Sequence, residues 1–109
     1  MNRLKSLLDS HGCALQVALD FTRMGEALAI ASKLQDLEGP IVFEAGTPLL
    51  KAEGARSIEL LRAVPPGRPV VADTKTMDAG AIEAGIAGEY GASALSVLAV
   101  APEETISET

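Results

Sequence analysis

The chain is short of several residue types, and each shortage narrows the possibilities. It has a single cysteine, Cys13, which excludes an intramolecular disulfide and is typical of a reducing compartment. It has no Trp, and aromatic residues make up only 3% of the 109 positions, although hydrophobic residues make up 48%. The core must therefore be built from aliphatic side chains, which suit strands and helices packed in layers.

Basic residues and long apolar segments are also scarce. The chain has 9 Lys and Arg against 15 Asp and Glu, a net charge of -6, so it lacks the clustered basic face that a nucleic-acid groove requires. No apolar run approaches the roughly 20 residues that span a bilayer, and the N-terminus has no long apolar segment of a secretory signal. We expect a cytoplasmic protein that binds neither nucleic acid nor membrane.

Aliphatic runs alternate with segments of helical periodicity along the chain. Strands are predicted near residues 15–20, 41–45, 69–75 and 94–100. Helices are predicted at 22–34, from Thr47 to Arg62 or Ala63, from Ala79 to Glu89 or Tyr90, and again from Pro102. Nearly continuous apolar strands joined by helices are typical of parallel β/α units.

The β/α units favour a closed barrel over an open doubly wound sheet. No Gly-rich phosphate-binding turn follows the first strand, as a dinucleotide-binding sheet would require. A full (β/α)8 barrel typically takes about 250 residues, so four strands make half a barrel. The predicted organisation is an N-terminal extension at 1–14 followed by a half-barrel at 15–109. Its two open sheet edges and uncovered inner face predict that the isolated chain is not a stable monomer.

Charged side chains follow the first three predicted strands, at the strand ends where parallel β/α folds place their active sites. These are Asp20, Glu44, Asp73 and Lys75. Asp73 and Lys75 are two residues apart, so an extended chain would point both to one face. Two carboxylates from neighbouring strands, Glu44 and Asp73, are the kind of ligand set that Mg²⁺ uses together with a substrate.

Each of these residues also has a purely structural interpretation. Asp20 could help to cap the helix that follows it, and Asp73 with Lys75 could form a salt bridge in the barrel core. Asp78 precedes a predicted helix, where Asp is a good N-cap. Thr47 is predicted to be a helix cap first and a substrate ligand second.

The segment Asp73-Thr74-Lys75-Thr76-Met77-Asp78 fits the D-x-K-x-x-D pattern of the orotidine 5'-monophosphate decarboxylase superfamily. The segments Leu15–Asp20, Glu44–Gly54 and Val71–Gly80 resemble, within it, the group of 3-hexulose-6-phosphate synthase and 3-keto-L-gulonate 6-phosphate decarboxylase. The resemblance extends from about residue 15 to residue 105 and is closer to the synthase.

The resemblance implies a Mg²⁺-dependent aldehyde-lyase that joins D-ribulose 5-phosphate and formaldehyde to give D-arabino-3-hexulose 6-phosphate, and the reverse. It implies that Glu44 and Asp73 hold Mg²⁺, that Asp20 contacts the sugar hydroxyls, and that Lys75 stabilises the enediolate. It also implies a homodimer in which Asp78 reaches the neighbouring subunit's site.

Part of the family's site lies on strands later than these four. The phosphate-binding loops and a later-strand His and Arg follow the late strands of the family, so these 109 residues hold only the metal-and-acid half of a site. We expect this half to be inactive until a C-terminal half-barrel completes it. Two alternatives remain: the 3-keto-L-gulonate 6-phosphate decarboxylase reaction, and a non-catalytic half-barrel that self-assembles or binds a phosphosugar.

Overall fold

Four parallel strands form one sheet in the computed structural model, which describes residues 2–109. In chain order the elements are α1 Arg3–His11, β1 Leu15–Leu19, α2 Met24–Lys33, β2 Ile41–Ala45, α3 Thr47–Glu53, α4 Arg56–Arg62, β3 Val70–Thr76, α5 Gly80–Glu89, β4 Ala94–Val97 and α6 Glu103–Glu108. The strand order is β1-β2-β3-β4, with every neighbouring pair parallel. The predicted fold class of parallel β/α units is therefore confirmed.

The hydrophobic core lies between the sheet and the helices. Alternate strand residues point into it, and because strand side chains alternate between faces, the intervening residues occupy the other face. The buried strand residues of the core are Leu19, Ile41, Phe43, Ala45, Val70 and Ala72. They pack against helix residues that include Ala27, Ala31, Leu49, Ile58 and Leu61.

The opposite face of the sheet is more open, although Val42 on β2 is buried there. Gln16 and Ala18 on β1 are exposed there, whereas Val71 and Asp73 on β3 are half-buried. This open face carries the polar side chains of the strand ends, so it is where a site can form. It corresponds to the barrel interior predicted from the sequence.

The prediction of a single helix from Thr47 to Arg62 or Ala63 is wrong, because the segment forms two helices, α3 and α4. Gly54 separates them with φ +77° and ψ -178°, a conformation that residues with a side chain rarely adopt. Its amide still donates to the carbonyl of Leu50, 2.8 Å away, which closes the last turn of α3. Both helices contribute to the core, α3 through Leu49 and α4 through Ile58 and Leu61.

Two further expectations need correction. The fourth strand ends at Val97 and not near residue 100, because the chain turns there and the amide of Ala101 donates to the carbonyl of Leu98. The N-terminal extension contains a helix, α1, which the sequence analysis did not predict. Asn2 caps α1 with its side chain and donates to the carbonyl of Ser93, so the helix is tied to the start of β4.

Within residues 2–109, none of the helices combines the length and the apolar character that crossing a membrane demands.

Candidate active site

The carboxyl end of β3 departs from regular strand geometry. Ala72 pairs with Leu95 and Thr76 pairs with Val97, so three residues of β3 lie opposite one residue of β4. Lys75, within this bulge, has φ +48°, in the left-handed region that is unfavourable for a residue with a side chain. A strained residue of this kind persists only where the surrounding structure holds it in place, and such residues often occur at functional sites.

The bulge brings four side chains together on the open face. Lys75 forms an ion pair with the Oδ2 atom of Asp73. The Nζ atom of Lys75 also lies 3.0 Å from the Oγ1 atom of Thr47, whose hydroxyl donates to the Asp73 carbonyl at 2.7 Å. Ser96 donates to the Oδ1 atom of Asp73 at 2.7 Å. Each Asp73 carboxylate oxygen thus accepts a hydrogen bond, one from Lys75 of the same strand and one from Ser96 of β4.

Asp73 and Lys75 meet as predicted, but for a different reason. The prediction assumed the plain alternation of an extended strand, whereas Lys75 is in a left-handed conformation. Its ammonium reaches Asp73 because the chain bulges between Ala72 and Thr76.

Glu44 lies on the same open face, one strand away. Its Cα pairs with that of Val71, two residues before Asp73, and strand alternation places Val71 and Asp73 on one face. The Glu44 carboxylate accepts a hydrogen bond of 2.6 Å from the side chain of Gln16 on β1. Carboxylates of neighbouring strands therefore share the face, as the sequence predicted.

Asp20 follows β1 and packs against the loop after β2. A Cβ placed on Gly46 would lie 2.0 Å from the Oδ1 atom of Asp20 and 2.8 Å from the carbonyl oxygen of Leu19. The Gly46 amide donates to that same Leu19 carbonyl at 3.1 Å. The absence of a side chain at Gly46 is therefore what allows Asp20 to occupy its position at the strand ends.

The charges in this cluster support one another. Burial raises the pKa of the Asp73 carboxyl, but the hydrogen bonds from Lys75 and Ser96, together with the nearby Thr47 hydroxyl, outweigh it and lower that pKa below its ordinary value. The hydrogen bond to Asp73 raises the pKa of the Lys75 ammonium, and the negative charges of Glu44 and Asp20 act in the same direction. At neutral pH the pair therefore consists of a carboxylate and an ammonium ion.

The oxygen atoms on this face fit the chemistry of Mg²⁺, which prefers carboxylates completed by water and substrate. Glu44 and Asp73 share the face, and each Asp73 oxygen still has a lone pair, because it accepts one hydrogen bond only. Within the described residues there is no group of three or more His, Cys, Asp or Glu side chains that could hold a metal ion. A bound ion would therefore need ligands from elsewhere to complete its coordination.

Two predicted site residues behave differently from the expectation. Gly46, whose backbone is extended, occupies the N-cap position of α3, and the Thr47 hydroxyl contacts Asp73 and Lys75 instead of capping the helix. Asp78 is exposed in the turn between β3 and α5, outside the cluster, and its side chain hydrogen bonds to none of residues 2–109. It does not cap α5 either, since the cap position is taken by Ala79 without a side-chain hydrogen bond.

Sequence reasoning missed three residues that build the site. Ser96 is the only hydroxyl-bearing residue in the aliphatic run that forms β4, a pattern that could have indicated a contact across the sheet. Gln16 lies in β1, four residues before Asp20, so strand alternation would have placed the two side chains on one face. Gly46 has no sequence pattern of its own, because its role depends on an approach by Asp20.

Comparison with known proteins identifies the family of this chain. Residues 14–109 match the model of the Orotidine 5'-phosphate decarboxylase / HUMPS family. The 3-hexulose-6-phosphate synthase of Mycobacterium gastri is 42% identical over 92 residues, which cover 84% of this chain and 44% of that enzyme. The chain thus spans less than half the length of this relative.

Solved structures show the same partial coverage. The 3-keto-L-gulonate-6-phosphate decarboxylase of Vibrio cholerae superposes with a TM-score of 0.81 at 39% identity, covering 87% of this chain and 44% of that one. The 3-hexulose-6-phosphate synthase of Salmonella typhimurium superposes with a TM-score of 0.79 at 34% identity, covering 88% and 44%. The four strands thus correspond to the first half of a (β/α)8 barrel. With its family match over residues 14–109, the chain belongs to the Orotidine 5'-phosphate decarboxylase / HUMPS family, whose synthase members are enzymes.

Proposed function

We propose that this chain supplies the metal-binding and enediolate-stabilising half of an aldehyde-lyase of the 3-hexulose-6-phosphate synthase type. The substrates are D-ribulose 5-phosphate and formaldehyde, and the product is D-arabino-3-hexulose 6-phosphate. The observation that carries the proposal is the cluster of Asp73, Lys75 and Thr47 on the open face that also holds Glu44.

The reaction needs a site that tolerates developing negative charge. A base takes a proton from C1 of the ketose and leaves an enediolate, whose carbon attacks formaldehyde to form the new C–C bond, and the resulting alkoxide takes the proton back from the protonated base. Lys75 carries a full positive charge on the open face and is oriented by Asp73 and Thr47, so it can stabilise the enediolate oxygens. Preorganised charge of this kind lowers the barrier without rearrangement during the reaction.

Glu44 and Asp73 are the residues that would hold Mg²⁺, and Asp20, at the end of β1, would bind the sugar hydroxyls together with Thr47. When bound, Mg²⁺ adds positive charge beside the enediolate. Since Gln16 donates to Glu44 and Ser96 donates to Asp73, both carboxylates are oriented before any ligand arrives. Such outer hydrogen bonds are what tune metal sites in general.

The protein's partner is proposed to be a second half-barrel. The matched relatives extend well beyond the region that this chain covers, and the edges of β1 and β4 are free to pair within residues 2–109. In the completed barrel, a dimer would let the exposed Asp78 enter the neighbouring site. We propose that this assembly is cytoplasmic, in keeping with the exposed free thiol of Cys13.

Formaldehyde fixation provides the test of this function. The chain is assayed alone and after co-expression with the remaining C-terminal part of the M. gastri synthase, using D-ribulose 5-phosphate, formaldehyde and Mg²⁺. We expect Mg²⁺-dependent hexulose phosphate formation only in the complemented form, which contains both halves of the site. Absence of turnover in a folded, complemented barrel would contradict the proposal.

A second candidate is supported by the superposition on the Vibrio cholerae decarboxylase, which has the highest TM-score among the structures described above. The same complemented protein is therefore assayed for CO₂ release from 3-keto-L-gulonate 6-phosphate. Turnover of that substrate without formaldehyde fixation would assign the decarboxylase reaction in place of the synthase reaction. Phosphosugar binding without either reaction would support the non-catalytic alternative.

Replacement of Glu44 by Gln tests the metal site. We expect Mg²⁺ affinity to fall by about tenfold or more, because one of two anionic ligands becomes neutral while the side-chain shape is retained. Titration calorimetry on the complemented protein gives the affinity, and circular dichroism gives the fold. Glu53→Gln, on the exposed end of α3, is the matched control and should leave the affinity unchanged. Equal Mg²⁺ affinity in Glu44→Gln and the unmodified protein would remove Glu44 from the metal site.

A further inference from the structure

A single residue of β4 faces the whole bulge of β3. Because Ala72 pairs with Leu95 and Thr76 with Val97, Ser96 alone lies opposite the segment 73–75. Ser96 is therefore the residue of β4 that is placed to hold this segment across the sheet.

Ser96 contacts all three residues of that segment. Its hydroxyl donates to the Oδ1 atom of Asp73 at 2.7 Å and accepts the backbone amide of Lys75 at 3.0 Å. Its carbonyl accepts the hydroxyl of Thr74 at 2.8 Å. One serine thus contacts the Asp73 carboxylate, the backbone amide of Lys75, and the side chain of Thr74 between them.

The Lys75 backbone needs this support. Its φ of +48° is unfavourable for a residue with a side chain, and it persists only if neighbouring contacts hold it. On the far side of the bulge, the buried Thr76 donates to Glu83 on α5. Without the Ser96 hydroxyl, the Lys75 amide would lose its hydrogen-bond acceptor and the chain could relax towards an extended conformation.

We propose that Ser96 is a positioning residue of this site, which holds Lys75 in its left-handed conformation and orients the Asp73 carboxylate through one hydroxyl group. Ser96 acts through those two residues and not on the substrate, since the one hydrogen of its hydroxyl group is donated to Asp73. The catalytic consequence rests on the proposed function, whereas the conformational role does not depend on it.

The experiment compares Ser96→Thr with Ser96→Val in the complemented barrel. These two variants have nearly the same shape and differ in the hydroxyl, and both are β-branched, which suits a strand. Position-resolved amide hydrogen exchange, measured by NMR, reports on Lys75 directly. We expect the Lys75 amide to exchange about fivefold to tenfold faster in Ser96→Val, as for one lost hydrogen bond, and at the original rate in Ser96→Thr.

Two references separate positioning from general destabilisation. The amide of Phe43, in the buried core, should keep its exchange rate in both variants. Ser93→Ala removes a hydroxyl that hydrogen bonds to none of residues 2–109, from a position just before β4, and should leave Lys75 unchanged. In the complemented enzyme, Ser96→Val should lower kcat by about tenfold while KM changes less, and Ser96→Thr should restore kcat.

Each other outcome decides against the proposal or narrows it. An unchanged Lys75 exchange rate in Ser96→Val overturns the proposal. Equal acceleration of exchange at Lys75 and Phe43 also overturns it, because it indicates a general loss of stability. Failure of Ser96→Val to fold while Ser96→Thr folds overturns it for the same reason. Faster exchange at Lys75 alone, in a complemented protein without either enzymatic reaction, supports the conformational role and contradicts the proposed function.

Discussion

Replacing Lys75 by Ala in the complemented barrel is expected to lower kcat by about 10²–10³-fold, the scale of a lost preorganised donor to a developing anion. The ammonium is the positive charge that the chain itself directs to the open face, where it pairs with Asp73 and contacts Thr47. Alanine keeps the Cβ atom, so the backbone at φ +48° is under the same constraint in both proteins. The loss therefore reports on the ammonium and not on a relaxed bulge.

The measurement is turnover per folded molecule, with folded protein quantified by circular dichroism. Lys33→Ala serves as the control, because it removes an exposed ammonium from the last turn of α2. If Lys75 forms a structural salt bridge only, Lys75→Ala loses stability but keeps its turnover per folded molecule. That result would remove Lys75 from the catalytic machinery.

Replacement of Gly46 by Ala is expected to lower the free energy of unfolding by about 1–3 kcal/mol, as for overpacking of a close contact. The new methyl group would lie 2.8 Å from the Leu19 carbonyl oxygen, which cannot retreat easily, because it accepts the Gly46 amide. It would also lie 2.0 Å from Oδ1 of Asp20, so that carboxylate must move. In the complemented enzyme the displacement should raise KM for the phosphosugar, since Asp20 is proposed to bind its hydroxyls.

Gly85→Ala is the matched control for this substitution. A Cβ at Gly85 meets no atom within 4 Å, and the residue lies inside α5, so alanine should raise the free energy of unfolding by about 0.5–1 kcal/mol. Urea denaturation measures both variants. Equal stability of Gly46→Ala and the unmodified protein, with unchanged KM, would show that the loop after β2 has room that the structure does not indicate.

Much of the site could be predicted because it depends on local pattern. An aliphatic run that ends in a charged residue indicates a buried parallel strand. The charged residue then lies near the carboxyl end of the strand, where parallel β/α folds place their active sites. This pattern predicts Asp20, Glu44 and Asp73, and the structure has Asp20 directly after β1, Glu44 next to last in β2, and Asp73 inside β3 at the start of its bulge. The identities of the metal and of the substrate remain proposals.

Helix boundaries were less predictable than strands. The sequence from Thr47 to Arg62 is predicted to form one helix. Gly54 interrupts it, and the segment forms two helices. The extension before β1 has a helix that is anchored through the contact of Asn2 with Ser93, a residue far along the chain. No pattern within the first residues indicates that contact.

The parallel β/α order and the charged residues near the strand ends can be predicted from the amino-acid sequence alone, because burial and alternation act between near neighbours in the chain. How those residues meet depends on contacts between distant parts of the chain. The left-handed conformation of Lys75 depends on Ser96 across the sheet, and the position of Asp20 depends on the missing side chain of Gly46. These contacts join residues that are brought together by strand pairing, so their geometry exists only once the sheet has formed.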